Sequence, residues 1–197
     1  PIGRYISWDT ALEDKEKSAY SVGIVGELQP DYRLRIVDLW RGKPLFPDLP
    51  DVMAELAYKH NRGNLLRANI IEGAASGKPA VQTLRASSDD WLARSVVELA
   101  PKGSKEERAN RAAVWAKRGL ILLPHPDERA QWLIDFEREL FNFPESQFAD
   151  QVDAFAQLVL YLENFMTTAW PGIEARHRKS KRESRVEKAI RAERTYA

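Results

Sequence analysis

The chain contains 197 residues, of which 44% are hydrophobic and 30% are charged, as is typical of one globular domain of ordinary size. Its 30 Lys and Arg residues nearly balance 29 Asp and Glu residues, so the net charge of +1 by itself indicates neither a nucleic-acid-binding protein nor a disordered polyanion. The absence of cysteine excludes disulfides, thiol nucleophiles and thiolate-bound metals, and no apolar run approaches the roughly 20 residues of a membrane-spanning helix, so we expect a soluble protein without a membrane partner.

The first part of the sequence predicts an antiparallel three-strand meander. Residues 4–8 form a short strand pattern, and residues 20–28 and 32–40 are two further β-rich stretches. The three residues between the last two stretches, Gln29-Pro30-Asp31, have the length of a hairpin connection. Because a strand pattern begins almost at Pro1, we expect the chain to be a piece of a longer polypeptide.

From about residue 50 onwards, helical and strand patterns alternate. The predicted segments are a helix around Val52, Leu56 and Ala57, a strand over 65–71, a helix over 77–86, a strand over 95–99, a helix over 104–118, a strand over 120–123, and helices over 128–141 and 149 to about 165. Ser104 and Glu107 have the spacing of a capping box. A meander that continues into alternating strands and helices is typical of an α/β fold with a mixed sheet flanked by helices.

The charge pattern divides the chain at residue 170. Residues 171–197 contain nine Lys or Arg residues against four Glu residues, and the Pro171-Gly172 pair stands at their start. We therefore predict a domain over residues 1–170 and a basic C-terminal tail over 171–197 that is helical or partly disordered.

Acidic residues stand where predicted strands end and where the last helix begins. Asp9 follows the first strand, Glu72 ends the strand over 65–71, and Asp150 and Asp153 lie in the first turn of the last helix. If both strands are central and parallel, their carboxyl ends emerge at one edge of the sheet, and the helix can bring its acids alongside. Crowded carboxylates repel one another unless a cation neutralises them, and oxygen-only ligands favour Mg²⁺ or Mn²⁺. Two such ions about 4 Å apart are sufficient for phosphodiester hydrolysis.

Each of these acids also has a simpler interpretation. Asp9 can cap a turn, and Asp153 can be an exposed residue. Asp150 can be a helix cap or a first-turn acid that the helix dipole stabilises. Glu72 is harder to explain in this way, because a strand-terminal Glu before a Gly-Ala-Ala-Ser-Gly loop is an unusual position for a solvated charge. The three histidines, His60, His125 and His177, are isolated in the sequence, and we expect them to be surface residues.

At these acids the sequence resembles the nuclease domain of the large terminase subunit of tailed bacteriophages. The similar segments, which occur in the family's order over roughly residues 4–165, are SWDTA at 7–11, IIEGAASG at 70–77, GLILLP at 119–124, EL at 139–140 with FP at 143–144, and DQVDA at 150–154. The resemblance implies a ribonuclease H-like fold and Mg²⁺- or Mn²⁺-dependent cutting of concatemeric viral DNA, with one or two ions bound. It also implies that Asp9, Glu72 and Asp150 are catalytic metal ligands and that Asp153 is an additional ligand.

By the same resemblance, the expected partners are double-stranded DNA, the terminase ATPase domain, the portal and the small terminase subunit, and the expected location is the host cytoplasm. The ATPase is not found in these residues, because the segment from Gly73 to Pro79 lacks the spacing and the hydroxyl residue of a P-loop. Two positions depart from the family pattern. Ala149 stands where an acid is common, and Gly73 follows Glu72 where Asp is common.

A basic stretch offers a surface for the DNA backbone. Lys105, Arg108 and Arg111 lie close in helical phase and predict a basic ridge that binds phosphates. Lys78 is a further candidate for a phosphate contact. The alternative is that these side chains are simply solvated. Two other functions stay open beside the terminase nuclease. One is a structure-selective nuclease such as a junction resolvase. The other is a nuclease-inactive module that binds DNA or docks to the motor, which Ala149 favours.

Overall fold

The structure, a computed structural model, describes residues 1–11, 20–73, 77–100, 102–128 and 130–169. Its strands are β1 (Gly3–Asp9), β2 (Ser21–Leu28), β3 (Leu34–Gly42), β4 (Leu66–Glu72), β5 (Val96–Leu99) and β6 (Ile121–Leu122). Its helices are α1 (Leu49–His60), α2 (Gly77–Arg85), α3 (Asp90–Ser95), α4 (Lys105–Lys117), α5 (Leu133–Asn142) and α6 (Asp150–Ala169).

The strands form one mixed sheet in the order β5-β4-β1-β2-β3-β6. The first three strands are an antiparallel meander, while β4 pairs in parallel with β1, β5 with β4, and β6 with β3. This architecture confirms the predicted α/β fold class, a mixed sheet in which an antiparallel meander is followed by parallel strands flanked by helices. The two strands that carry Asp9 and Glu72 are adjacent, parallel and central, as the sequence pattern requires.

One face of the sheet packs against α1 and α2. Trp8 of β1 and Met53 of α1 are fully buried, and Leu84 of α2 joins them in the same hydrophobic cluster. The Trp8 indole also donates a hydrogen bond to Asn69 Oδ1 on β4 over 2.8 Å. Because this bond is buried, it ties the two central strands together just before their carboxyl ends.

The opposite face of the sheet packs against α6. Side chains alternate along a strand, so Ser7 and Asp9 lie on the face opposite to Trp8. Gln157 of α6 donates from Nε2 to the Ser7 hydroxyl over 2.9 Å and to the Trp8 carbonyl oxygen over 3.2 Å. The helix is thus fixed to the end of β1 on the face that carries Asp9.

Two local features differ from the sequence prediction, and a third agrees with it. The helix α3 is missing from the prediction because six residues are too few to show a helical period. The fifth helix begins at Leu133, since residues 126–128 form a short 3-10 turn. The capping box of α4 is present as predicted: the Ser104 hydroxyl accepts from the Glu107 N–H, and the Glu107 carboxylate accepts from the Ser104 N–H.

His60 is buried, so the prediction that it is a surface residue is wrong. Its Nε2 lies 2.8 Å from Asp38 Oδ2, and the hydrogen bond from His60 holds the pKa of Asp38 well below its usual range. The pair joins the end of α1 to β3, where a charged aspartate partner stabilises the buried ring.

The chain divides into two compact units, residues 1–160 and 161–197. The sheet and the site below belong to the first. The predicted tail over 171–197 lies outside the described residues, and the boundary at residue 170 stays a prediction. Within the described ranges, none of the helices has the length and apolar character needed to cross a bilayer.

Replacing Trp8 with Phe tests the link between the central strands. The change removes the indole N–H and leaves the fully buried Asn69 Oδ1 without that donor, so we expect the free energy of unfolding to fall by about 1–3 kcal/mol. Urea denaturation measures the change. The matched control is Trp132→Phe at a partly exposed site, where a smaller loss is expected; equal losses would contradict the assigned role of the hydrogen bond.

Candidate active site

The carboxyl ends of β1 and β4 place two acids side by side. Trp8 pairs with Ile71 in the parallel register, and Asp9 and Glu72 are the next residues on the two strands. Ile71 belongs to the hydrophobic cluster with Trp8, so alternation directs Asp9 and Glu72 to the other face. Both acids therefore lie on the face that α6 covers.

The first turn of α6 supplies two more acids. Asp150 and Asp153 are only 6% and 5% exposed, and Asp150 Oδ2 accepts a hydrogen bond from the Tyr20 N–H over 2.9 Å. Carboxylates in the first turn of a helix are favoured by the helix dipole, which offsets part of the cost of burying them. The helix thus begins on the acid-bearing side of the sheet.

A buried glutamate holds the start of α6 in place. Glu139 of α5 is 5% exposed, and its two carboxylate oxygens accept from the Gln151 backbone N–H over 2.7 Å and from Gln151 Nε2 over 2.6 Å. One orphan N–H of the helix is satisfied in this way. Glu139 and Gln157 are the positioning residues that the sequence analysis missed. The spacing of 150, 153 and 157, which puts three polar residues on one helix face, was the available signal for Gln157.

The four acids act on one another electrostatically. Burial, and then the charges of Asp153, Asp150 and Glu72, raise the pKa of Asp9 to about 7. Burial also raises the pKa of Asp150, although the Tyr20 N–H and the charges of Lys105 and Arg41 oppose that change. The structure therefore brings Asp9, Glu72, Asp150 and Asp153 into one cluster, which we call the acid cluster. That these residues are metal ligands stays a prediction.

Two basic side chains of α4 neutralise part of the acid cluster. Lys105 forms an ion pair with Asp153 Oδ2, and Arg108 Nη2 lies 2.8 Å from Asp153 Oδ1. Burial alone would lower the pKa of Lys105, but its hydrogen bond to Asp153 and the charges of the neighbouring acids raise it above its ordinary value. The side chains of Lys105 and Arg108 therefore point toward the acid cluster, whereas the sequence predicted that they form a basic ridge with Arg111.

The other two predicted DNA-binding residues lie elsewhere. Arg111 is exposed on α4, and Lys78 is exposed in the first turn of α2. The use of Lys78, Lys105, Arg108 and Arg111 in DNA binding stays a prediction.

The donor set fits a hard divalent cation by its chemistry. Carboxylate oxygens are the ligands that Mg²⁺ and Mn²⁺ prefer, and a cation would relieve the repulsion that, together with the larger effect of burial, raises the pKa of Asp9. Among the described residues, however, no group of three or more His, Asp or Glu side chains is arranged closely enough to hold a metal ion. Asp153 is engaged by Lys105 and Arg108, so Asp9, Glu72 and Asp150 are the acids left for a cation.

Comparisons with known proteins find structural similarity but no sequence match. No protein-family model and no curated protein sequence matches the chain. Among solved structures, the yeast mitochondrial Holliday junction resolvase Ydc2 is similar, with 12% sequence identity, a TM-score of 0.48 and 85% of each chain covered. The terminase family that the sequence resembles is not confirmed by these comparisons.

The raised pKa of Asp9 predicts how stability changes with pH in the presence of a chelator. Asp9 has a pKa of about 7 in the folded state against a model value of 3.8, so the folded state binds its proton more tightly. The contribution of Asp9 to the free energy of unfolding is therefore complete below pH 3.8 and is lost as the pH rises through about 7. At about 1.4 kcal/mol for each pKa unit, the loss amounts to a few kcal/mol at most.

Urea denaturation of the wild type and of Asp9→Asn at about pH 5 and about pH 8 measures this contribution. The wild type should lose more stability than the variant between the two conditions. A variant that loses as much as the wild type would show that Asp9 titrates as an ordinary carboxyl.

Proposed function

We propose that the chain is a nuclease that hydrolyses phosphodiester bonds of DNA. Asp9, Glu72 and Asp150, which do not close on a metal ion as described, are the residues that would hold Mg²⁺ or Mn²⁺ when the ion binds. The observation that carries the proposal is the electrostatic convergence on Asp9, whose pKa is raised by burial and by three other acids from two separate elements. Buried acids that repel one another destabilise a fold, and strongly perturbed carboxyls of this kind are typical of functional sites. The strand order of the sheet supports the same chemistry, because it makes β1 and β4 neighbours and so brings Asp9 and Glu72 together.

Each element of the site has a distinct part in the proposal. A bound divalent ion supplies positive charge that stabilises the developing charge on the phosphate oxygens. Asp9 and Glu72 offer carboxylates from the two central strands, and Asp150 offers one from α6. Gln157 holds the end of β1 through the Trp8 carbonyl oxygen and so orients Asp9. Lys105, whose raised pKa keeps it protonated, supplies a fixed positive charge beside the acids.

The first experiment measures cleavage of plasmid DNA with Mn²⁺ by the wild type and by Asp9→Asn. Loss of a proposed ligand should reduce the rate by more than about 100-fold, since even the outer partners of metal ligands cost 10–100-fold. The matched control is Asp135→Asn, an exposed aspartate on α5 that is paired with Arg138 and should leave cleavage unchanged. Activity that survives Asp9→Asn would remove the proposed mechanism.

A specific observation favours a second candidate, a DNA-binding module whose nuclease site is inactive. Ala149, which is not an acid, precedes Asp150 at the start of α6. Asp153 is neutralised by basic side chains, so not all four acids of the cluster are available to bind a cation. For this candidate the wild type binds DNA without cutting it. Cleavage that appears only in Ala149→Asp would then identify the alanine as the cause.

The shape of the DNA substrate distinguishes a terminase nuclease from a junction resolvase. The terminase resemblance implies linear concatemeric duplex, with the portal, the small subunit and the ATPase as partners. The alternative, a junction resolvase, implies a four-way junction, and the structural neighbour bears that name. We expect the same acid cluster to serve either substrate, because the hydrolysed bond is the same.

Matched linear and four-way-junction DNA of the same length and sequence should be cut with Mn²⁺ in parallel. A preference for the junction of about tenfold or more, or about 1.4 kcal/mol in the barrier, favours the resolvase. Equal cutting of both, or a preference for linear duplex, favours the terminase nuclease. In either case Asp9→Asn should abolish the cleavage, and a preference that persists in this variant would indicate a contaminating nuclease.

A further inference from the structure

Arg41 lies in the same register row as Asp9. Asp9 pairs with Val22 on β2, and Val22 pairs with Arg41 on β3. Residues paired across a sheet project from the same face, so Arg41 lies on the face of the acid cluster, two strands away or about 10 Å. The positive charge of Arg41 opposes the rise that burial causes in the pKa of Asp150.

The Arg41 guanidinium stacks on aromatic rings. Its Cζ lies 4.0 Å from the Tyr20 ring centroid and 5.2 Å from the Phe148 ring centroid. The two rings meet edge to face with their centroids 5.3 Å apart. Stacking of this kind orients the guanidinium without using its N–H donors. Tyr20 and Phe148 are also the neighbours of the acid cluster, because the Tyr20 N–H binds Asp150.

Within the described part of the chain, the Arg41 guanidinium is only partly hydrogen-bonded. Its Nε and Nη2 have no hydrogen-bond partner among the described residues. The nearest carboxylate oxygen, Glu139 Oε2, is 3.7 Å from Nη2, and both oxygens of that carboxylate already accept hydrogen bonds from Gln151. A buried donor without a partner is costly and needs an explanation. Nε and Nη2 are themselves buried, so an anion would approach the guanidinium through the exposed part of the Arg41 side chain, which is 22% exposed.

A second cation shares the Tyr20 ring. Lys43 Nζ lies 4.5 Å from the ring centroid, and Lys43 is exposed just beyond the end of β3. Two positive charges thus flank one ring. Among the residues that the structure describes, Glu139 is the carboxylate within ion-pair distance of Arg41, and at 3.7 Å it offsets these charges only in part. A planar guanidinium with a neighbouring ammonium is a suitable receptor for phosphate oxygens.

We propose that Arg41 and Lys43, arranged on Tyr20 and Phe148, form a subsite for a backbone phosphate of the nucleic-acid strand. The subsite rests on the proposed function, since it would hold the strand within a few nucleotides of the bond cut at the acid cluster. It differs from the ridge predicted on α4 in its place and in its aromatic support. Contacts of this kind supply affinity and register without reading the base sequence.

The test measures binding of labelled duplex or junction DNA by fluorescence anisotropy with Ca²⁺ in place of Mn²⁺, over a series of salt concentrations. Arg41→Gln should raise the Kd about tenfold and reduce the slope of log Kd against log salt by about one, and Arg41→Lys should recover part of the affinity. Lys43→Gln should weaken binding in the same direction. The matched control is Arg94→Gln, which removes an exposed arginine paired with Asp90 on α3 and should leave the Kd unchanged.

Unchanged affinity and salt slope in both Arg41→Gln and Lys43→Gln would overturn the subsite. If thermal unfolding shows that Arg41→Gln is misfolded, the exposed Lys43→Gln decides the question alone. Inorganic phosphate is the second arm: phosphate binding that is lost in Arg41→Gln, together with unchanged DNA affinity, would assign the site to a free anion and overturn the nucleic-acid proposal. If the wild type cuts no DNA but its DNA binding depends on Arg41, the subsite is supported and the nuclease proposal is rejected. Failure of the subsite and failure of the proposed function are therefore distinguishable.

Discussion

Four carboxylates repel one another at one edge of the sheet, and the residues around them hold and partly neutralise these charges. Asp9 and Glu72 come from adjacent strands, and Asp150 and Asp153 come from the helix that crosses the same face. Burial strengthens their interaction, because water no longer screens it. Local features offset the cost of the cluster: Asp9 binds a proton up to about neutral pH, Asp150 accepts a hydrogen bond from Tyr20, and Asp153 is paired with Arg108.

The supports of the cluster are as specific as the acids. Glu139 anchors the first turn of α6 through Gln151, and Gln157 anchors the same helix to the end of β1 two turns later. The acids of α6 are therefore held against the sheet from both sides of the helix start. Precise placement of this kind is required where charges act at short range, since a small displacement changes their interaction energy strongly.

Basic residues approach the acid cluster from two directions. Lys105 and Arg108 of α4 neutralise Asp153, while Arg41 and Lys43 at the end of β3 lie against the ring of Tyr20, whose N–H binds Asp150. The first pair serves the internal balance of charge and the second faces solvent. A polyanionic ligand lying across this edge would meet positive charge on both flanks of the acids, which is the arrangement that a nuclease needs to hold a backbone it also hydrolyses.

The sequence by itself determined the element types and the candidate acids. Period-two and helical patterns are local properties, so the meander, the parallel strands, the long helices and the capping box at Ser104 follow from neighbouring residues. Asp9, Glu72 and Asp150 were found because each stands at an element end. The short helix α3 escaped because six residues show no period, and His60 was placed on the surface because nothing local reveals its partner Asp38, which is 22 residues away in the chain.

Only the tertiary structure decided which charges meet. Arg108 and Asp153 are 45 residues apart, Tyr20 and Asp150 are 130 apart, and Gln157 and Ser7 are 150 apart. No periodicity encodes such pairs, because they depend on the order of the strands and on where α6 crosses them. For the same reason the turn of Lys105 and Arg108 toward the acids, and the stacking of Arg41 on Tyr20, could be known only once the sheet was assembled.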